Sequence, residues 1–325
     1  MPVPLDDGFG ALSQSRRAPS RRDFLQTVLG GVAAAAALPP VARAQTHHAP
    51  LNATTLNDTV HVIDGAGGNV VVVIGPDALV MINGGRQETS AQLLNMVAEH
   101  SGGKKVIALF NTDWHPEHTG SNEALGKAGT EILAHENTRQ YLANDLFVDW
   151  QKRSYKAQPA AARPTKTFYT TGAMTLGRER IEYGHLGQAH TDGDIYVFMP
   201  GSNVLVAGDV LAVGKYPIAD YNTGGWLGGM VTATKTLIDL SNADTRIVPG
   251  MGPVQTRADL QAQYDMLNTL RDRLAKMMRQ GMGTSDMLAA GATKEFDEKW
   301  GSPKEFLPVT YRGMWLHVRE LGGIV

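Results

Sequence analysis

Cysteine is absent from this 325-residue chain. It therefore has no disulfide, thiolate metal site or cysteine nucleophile, and any metal must be held by nitrogen and oxygen. An excess of positive charge is also missing: 30 Lys and Arg stand against 32 Asp and Glu, a formal net charge of −2. That balance argues against the basic stripe of a nucleic-acid binder. Charged residues reach only 19% and hydrophobic ones 42%, which suits a soluble globular protein with a sizeable core. The apolar stretch "TVLGGVAAAAAL" (27–38) falls short of the ~20 residues that a membrane-spanning helix needs, so no stable membrane anchor is expected.

The flanks of that stretch mark it as part of a targeting segment. "SRRDFLQ" (20–26) places Arg21 and Arg22 before Phe24 and Leu25, as in twin-arginine export signals. "ARA" then provides a small-x-small cleavage site ending at Ala44. Residues 1–44 are read as a cleaved signal, with the twin-arginine export machinery as partner and a periplasmic or secreted destination. The lack of cysteine fits an oxidising compartment. Residues 45–57, polar and aperiodic, are expected to form a flexible arm, with His47 and His48 incidental. Residues 58–325 then make one domain, with no internal repeat.

From Thr59 the pattern is of short β-branched runs separated by turn residues: "TVHVIDG", "VVVVIG" and "LVMING". "VVVVI" is apolar on both faces, so that strand should be covered on both sides. "ETSAQLLNMVAEH" (88–100) gathers Leu93, Leu94, Met96 and Val97 on one side of a predicted helix. "KVIALFN" is a buried strand, "SNEALGKAG" a helix and "EILAH" a strand; residues 145–170 read as a long loop or insertion. Strands resume at "RIEYG", "DIYVFMP" and "NVLVAG", followed by a helix at "GWLGGMVTATKTLIDLS" and a strand at "TRIVPG". Thr256 and Asp259 make a capping box before a helix that carries Leu260, Tyr264, Leu267, Leu270, Leu274 and Met277. Strands and helices repeating in two halves suggest two packed sheets with helices outside.

Candidate ligands follow apolar strands, where layered α/β proteins display their functional groups. "NTDWHPEHTG" (111–120) contains Asp113, His115, Glu117 and His118; "AHTDGD" contains His190; "VLVAGD" ends on Asp209. If the chain stays extended through the first motif, Asp113, His115 and Glu117 point one way.

These motifs, with "IVPGMGP" (247–253) and "LVMING" (79–84), occur in the order and spacing of the metallo-β-lactamase superfamily, which the whole chain after the signal resembles. The resemblance implies an α/β, four-layer αββα sandwich with a C-terminal helical extension, and a metal site along one edge of the two sheets. It would make His115 and His190 ligands of a first metal, with Asp113 in the place of a histidine. His118 would serve a second metal, with Glu117 in the place of an aspartate, and Asp209 would bridge the two. Met251 stands where the family's last histidine is expected.

Zinc accepts carboxylate oxygen at ~2.0–2.2 Å, so one zinc ion, or two, is the expected cofactor; manganese or iron suit the oxygen-rich set as well. A thioether is a poor ligand for such ions, which weakens the second site. The reading is a metal-dependent hydrolase attacking an ester, lactone, thioester, amide or phosphoester of a small-molecule substrate, with Glu117 and Asp209 as catalytic carboxylates. The alternative is a catalytically silent metal- or ligand-binding member of the same fold; nothing selects an iron redox member. The loop after Asp209 is expected to wall the cleft with Tyr216, Tyr221 and Trp226.

Overall fold

The β-branched runs become strands, and the faces on which they are apolar decide the order of the layers. The computed structural model describes residues 50–319. The expected export signal, His47 and His48 lie outside the described residues. Strands β1 (Asn52–Thr55), β2 (Val60–Asp64), β3 (Val70–Ile74) and β4 (Ala78–Ile82) form an antiparallel meander. Helix α1 (Ser90–Ser101) leads to β5 (Lys105–Phe110), parallel to β4. After α2 (Pro116–Thr119) and α3 (Asn122–Lys127), β6 (Glu131–His135) lies parallel to β5. Helix α4 (Glu136–Ala143) precedes a separate hairpin, β7 (Leu146–Val148) and β8 (Arg153–Tyr155). β9 (Lys166–Phe168) then completes a seven-stranded sheet beside β6.

The second sheet has five strands: β10 (Thr171–Leu176), β11 (Glu179–His185), β12 (Ile195–Met199), β13 (Val204–Gly208) and β14 (Arg246–Pro249). The first four are antiparallel, and β14 joins parallel to β13 after the crossover helix α5 (Leu227–Leu240). Helices α6 (Arg257–Arg279), α7 (Thr284–Ala289), α8 (Asp297–Trp300) and α9 (Phe306–Leu316) form the C-terminal part.

Three apolar layers hold these elements together. Between the sheets, Val71, Val73, Val80 and Phe110 pack against Ile181, Ile195, Val197 and Val206. The outer face of the first sheet, with Val70, Val72, Leu79 and Met81, is covered by Leu93 and Val97 of α1 and Leu125 of α3. The outer face of the second, with Leu205, Ala207 and Ile247, is covered by α5, α6 and α9. The order is helix, sheet, sheet, helix, the αββα sandwich. Val70 to Val73 alternate between two buried layers, which is why that strand is apolar throughout. At the start of α6 the Asp259 carboxylate accepts from both the backbone N–H and the hydroxyl of Thr256, 3.0 and 2.7 Å away.

Two expectations need correction. Asn52–Thr55, inside the segment expected to be a flexible arm, is an edge strand whose four side chains are all exposed; it carries no apolar alternation because it has no buried face. Of the two readings of residues 145–170, the loop gives way to the insertion, which contains the β7–β8 hairpin and β9. The hairpin buries Val148 against Trp114 and Leu142, with Tyr141, Trp150 and Tyr155 packed alongside. Among the described residues no helix is long and apolar enough to cross a membrane.

Candidate metal centre

The first ligand motif is anchored by the turn that follows β4. Asn83 there has a left-handed backbone, φ 65°, a conformation that asparagine tolerates better than most residues. Its side-chain oxygen accepts from the Thr112 N–H and hydroxyl, 2.9 and 3.0 Å away. The Gly84 N–H donates to the His118 carbonyl at 2.7 Å, and the Ile195 N–H to that of Thr112 at 2.9 Å. The loop is thus tied to both sheets. A Cβ on Gly120 would lie 2.1 Å from the Arg86 carbonyl carbon, so only glycine permits the approach that closes the motif.

The chain does not stay extended. Pro116 begins a one-turn helix, with His115 as its cap, so Glu117 departs from the direction of Asp113 and His115. Asp113 Oδ1 accepts from the His115 N–H at 2.7 Å and lies 3.0 Å from His115 Nδ1. His118, fully buried, places Nε2 3.2 Å from Asp209 Oδ2 and 3.5 Å from Asp113 Oδ2. Asp209 leaves the end of β13, and its Oδ2 is also 3.6 Å from His190 Nε2. His190 sits on a loop built by Asp194, whose Oδ2 accepts from the N–H groups of His190 and Thr191 at 2.5 and 2.9 Å. His190 Nδ1 donates to the Ile218 carbonyl at 2.7 Å, which leaves its Nε2 lone pair facing the cluster.

Asp113, His115, His190 and Asp209 each offer one ligand atom, and these atoms lie within 4.8 Å of one another. His118 contacts two of them but stands outside that group. Glu117 is not drawn in: its carboxylate faces Arg86 at 3.8 Å. Met251 is 45% exposed, so it does not fill a lost ligand's space as buried packing.

Burial opposes charge on His115, His118, Asp113 and Asp209, and the neighbours decide the outcome. For His118, burial alone would lower the pKa, but Asp113 and Asp209 push it up to about 10. The same balance raises His115, chiefly through Asp113. Burial alone would raise Asp113 and Asp209, but the imidazoles, His118 foremost, hold both below the usual carboxylate value. Asp194 runs the other way: burial, reinforced by the charge of Asp113, pushes it up to about 7.

The donor set fits a metal ion. Asp113 Oδ2, His190 Nε2 and His118 Nε2 are buried without a hydrogen-bond partner and lie around Asp209. Each such atom costs about 1–3 kcal/mol when left unmade, so their gathering at one place calls for a common partner. Two imidazoles and two carboxylates suit zinc, and the oxygen share suits manganese or iron as well.

The cleft beside the cluster is small, about 70 Å³, lined by Glu117, His190, Asp209, Lys215, Ile218 and Met251 among others. The three expected wall aromatics do other work. Tyr216 is buried, stacks on Phe306 and donates its hydroxyl to Asp297; Trp226 stacks on His317 with ring centroids 4.6 Å apart. Tyr221 donates to Asp149, 3.0 Å away. All three serve the packing around the C-terminal helices and the hairpin. Sequence reasoning also missed Asp220, a fully buried carboxylate whose Oδ2 lies 4.0 Å from His115 Nε2.

A family model described as "Metallo-beta-lactamase superfamily" matches residues 63–272. Among solved structures, the fold is similar to a metallo-beta-lactamase from Pontibacter korlensis, with TM-score 0.55 and 20% identity over 67% of this chain and 99% of that one. It is also similar to the stereoselective inverting sec-alkylsulfatase Pisa1 from Pseudomonas sp., with TM-score 0.64 and 17% identity over 81% of this chain and 50% of that one. At such identities the likeness concerns the fold alone.

Proposed function

The chain belongs to the metallo-beta-lactamase superfamily, and on that premise we propose that it is an exported metal-dependent hydrolase with one principal metal site. Asp113, His115, His190 and Asp209 would hold the ion, zinc first, with manganese or iron as the alternatives that the donor set admits. A metal there supplies a Lewis acid for water and for the substrate oxygen that takes up negative charge. The observation that carries this reading is the convergence of four ligand atoms within 4.8 Å, beside buried nitrogens and a carboxylate oxygen that nothing else satisfies.

The chain's own groups have separable tasks. His190 is oriented by the Ile218 carbonyl. Asp209, poised between His118 and His190, stays ionised and orients the attacking water. Glu117, on the cleft wall and partly exposed, takes the proton from that water and passes it to the leaving group. Lys215 is the cation of the cleft lining, and Leu211, Pro217, Ile218 and Met251 are its apolar surface. A small ester, lactone, thioester, amide or phosphoester fits such a cleft. Glu117 turned toward Arg86, with Met251 in place of an imidazole, argues for one ion rather than two. Arg21 and Arg22 support twin-arginine export to the periplasm.

A silent metal-binding protein is the second reading. What favours it is the mutual neutralisation of His118 by Asp113 and Asp209, which can hold the cluster together without turnover. Elemental analysis of the exported protein, joined to an ester, lactone and phosphoester screen, tests both. Bound metal with turnover supports the hydrolase; bound metal without turnover supports the silent reading. Protein that takes up no zinc, manganese or iron sinks the metal site.

A further inference from the structure

We infer that Asp220 is the positioning residue for His115, holding the proton on Nε2 so that Nδ1 is the nitrogen turned toward the metal. The inference rests on the reading of Asp113, His115, His190 and Asp209 as a metal centre.

A neutral imidazole has one lone pair, so one nitrogen serves a metal while the other keeps its proton. His115 has a carboxylate at each end: Asp113 Oδ1 at 3.0 Å from Nδ1 and Asp220 Oδ2 at 4.0 Å from Nε2. The two carboxylates are not equivalent. Asp113 is one of the four converging ligands and keeps Oδ2 free of hydrogen bonds. Asp220 stands outside that group, and both its oxygens are already engaged. Its Oδ1 accepts from Trp150 Nε1 at 2.8 Å and the Asn222 N–H at 3.0 Å, and its Oδ2 from the Thr223 hydroxyl at 2.8 Å. The nitrogen facing Asp113 therefore points into the cluster and the one facing Asp220 points out of it.

Asp220 is completely buried, and a buried carboxylate needs a cationic or strongly donating partner. Among the described residues, His115 is the one basic side chain within 4.0 Å of it, and its Nε2–H is the donor that faces it. The gap exceeds a hydrogen bond, and a shift of about 1 Å closes it. The backbone adds a second link, since the Asp220 N–H donates to the His190 carbonyl at 2.7 Å. One residue thereby braces both imidazoles. Support comes from the β7–β8 hairpin through Trp150. Trp114 stacks on the His115 ring with centroids 4.2 Å apart and donates to Thr223.

The competing role is capping, since the Asp220 carboxylate also accepts from the Asn222 N–H at the start of a short turn. Asp220→Asn separates the two roles, because asparagine caps as well as aspartate but removes the charge facing Nε2. We expect its zinc Kd, measured by chelator competition, to rise roughly 10–100-fold, with the melting temperature of metal-free protein little changed. In cobalt-substituted protein, the paramagnetically shifted His115 N–H should exchange slowly with solvent in the wild type and quickly in the variant. Trp150→Phe should move both readouts the same way by a smaller factor, and it carries the test alone if Asp220→Asn does not fold. Unchanged affinity and exchange in a wild type that binds zinc would reduce Asp220 to a cap and overturn the inference. A wild type that binds neither zinc nor cobalt would overturn the metal centre first, and the positioning role with it.

Discussion

Glu117 faces Arg86 at 3.8 Å and stands outside the cluster of Asp113, His115, His190 and Asp209. The carboxylate expected at a second metal is thereby held at the cleft wall, and Met251 leaves that second position without an imidazole. The isolated protein should bind close to one equivalent of zinc. Met251→His should raise the content toward two, measured by elemental analysis. Because Met251 is 45% exposed, its replacement should change stability by no more than about 0.5 kcal/mol. A stoichiometry unmoved by the histidine would mean that His118, Asp209 and Glu117 cannot complete a second site.

Asp113 supports His115 as well as offering Oδ2, because its Oδ1 accepts from the His115 N–H and lies 3.0 Å from Nδ1. Were the carboxylate only a supporting ligand, Asp113→Ala would weaken binding less than the loss of either histidine. The geometry predicts that Asp113→Ala weakens zinc binding as severely as His115→Ala or His190→Ala, by ~100-fold or more, since even indirect partners are worth 10–100-fold. Competition with a chromophoric chelator reads this directly. Wild-type affinity in any of the three would remove that residue from the site.

Gly250 makes room for Asp209. A Cβ there would stand 1.8 Å from Asp209 Oδ1, while the Gly250 N–H donates to the Gly208 carbonyl at 2.7 Å. Gly250→Ala should displace the carboxylate and raise the zinc Kd by about 10–100-fold, with the far-ultraviolet circular dichroism retained. Undisturbed affinity would show that Asp209 is not a ligand.

A second pair of imidazoles lies away from the cluster. His135 is buried and stacks on His185 with ring centroids 3.8 Å apart, and its Nδ1 accepts from the Asn137 N–H. Burial first, then the neighbouring His185, pushes its pKa down to about 4. The unfolded chain takes up this proton near pH 6.5, so stability is full above that pH and falls as the pH drops toward 4. The slope of this contribution is at most ~1.4 kcal/mol per pH unit. His135→Asn keeps a capping acceptor and should flatten that part of the profile in denaturant titrations. Parallel wild-type and variant curves between pH 6.5 and 4 would refute the assignment.

The proposed twin-arginine export would rest on the paired arginines. Replacing Arg21 and Arg22 together by lysine should abolish delivery of the processed protein to the periplasm, as followed by fractionation and immunoblotting. Arg16 and Arg17 should not rescue it. An unchanged periplasmic yield would rule out the twin-arginine route.

The sequence by itself determined the layers and the addresses of the candidate ligands. Val70 to Val73, Leu79 to Ile82 and Val204 to Ala207 are apolar because they lie between covered faces, and that pattern is legible wherever burial is two-sided. Asp209 was legible because it directly follows such a strand; His115, beyond the buried end of β5, and His190, in the loop after β11, were legible from their motifs. Where burial is slight the signal fades. Asn52–Thr55 has no buried side chain, and Thr171–Leu176 buries only Leu176 fully, so both strands exist by backbone pairing with β2 and β11. Tertiary structure alone decided which side chains meet. Glu117 turns toward Arg86 because Pro116 starts a helical turn, which motif spacing does not reveal. Asp220 reaches His115 across 105 positions of chain, held by Trp150 from a hairpin with only one fully buried side chain. Local pattern records how each residue meets the core; contacts between distant loops depend on where the packed sheets carry their ends.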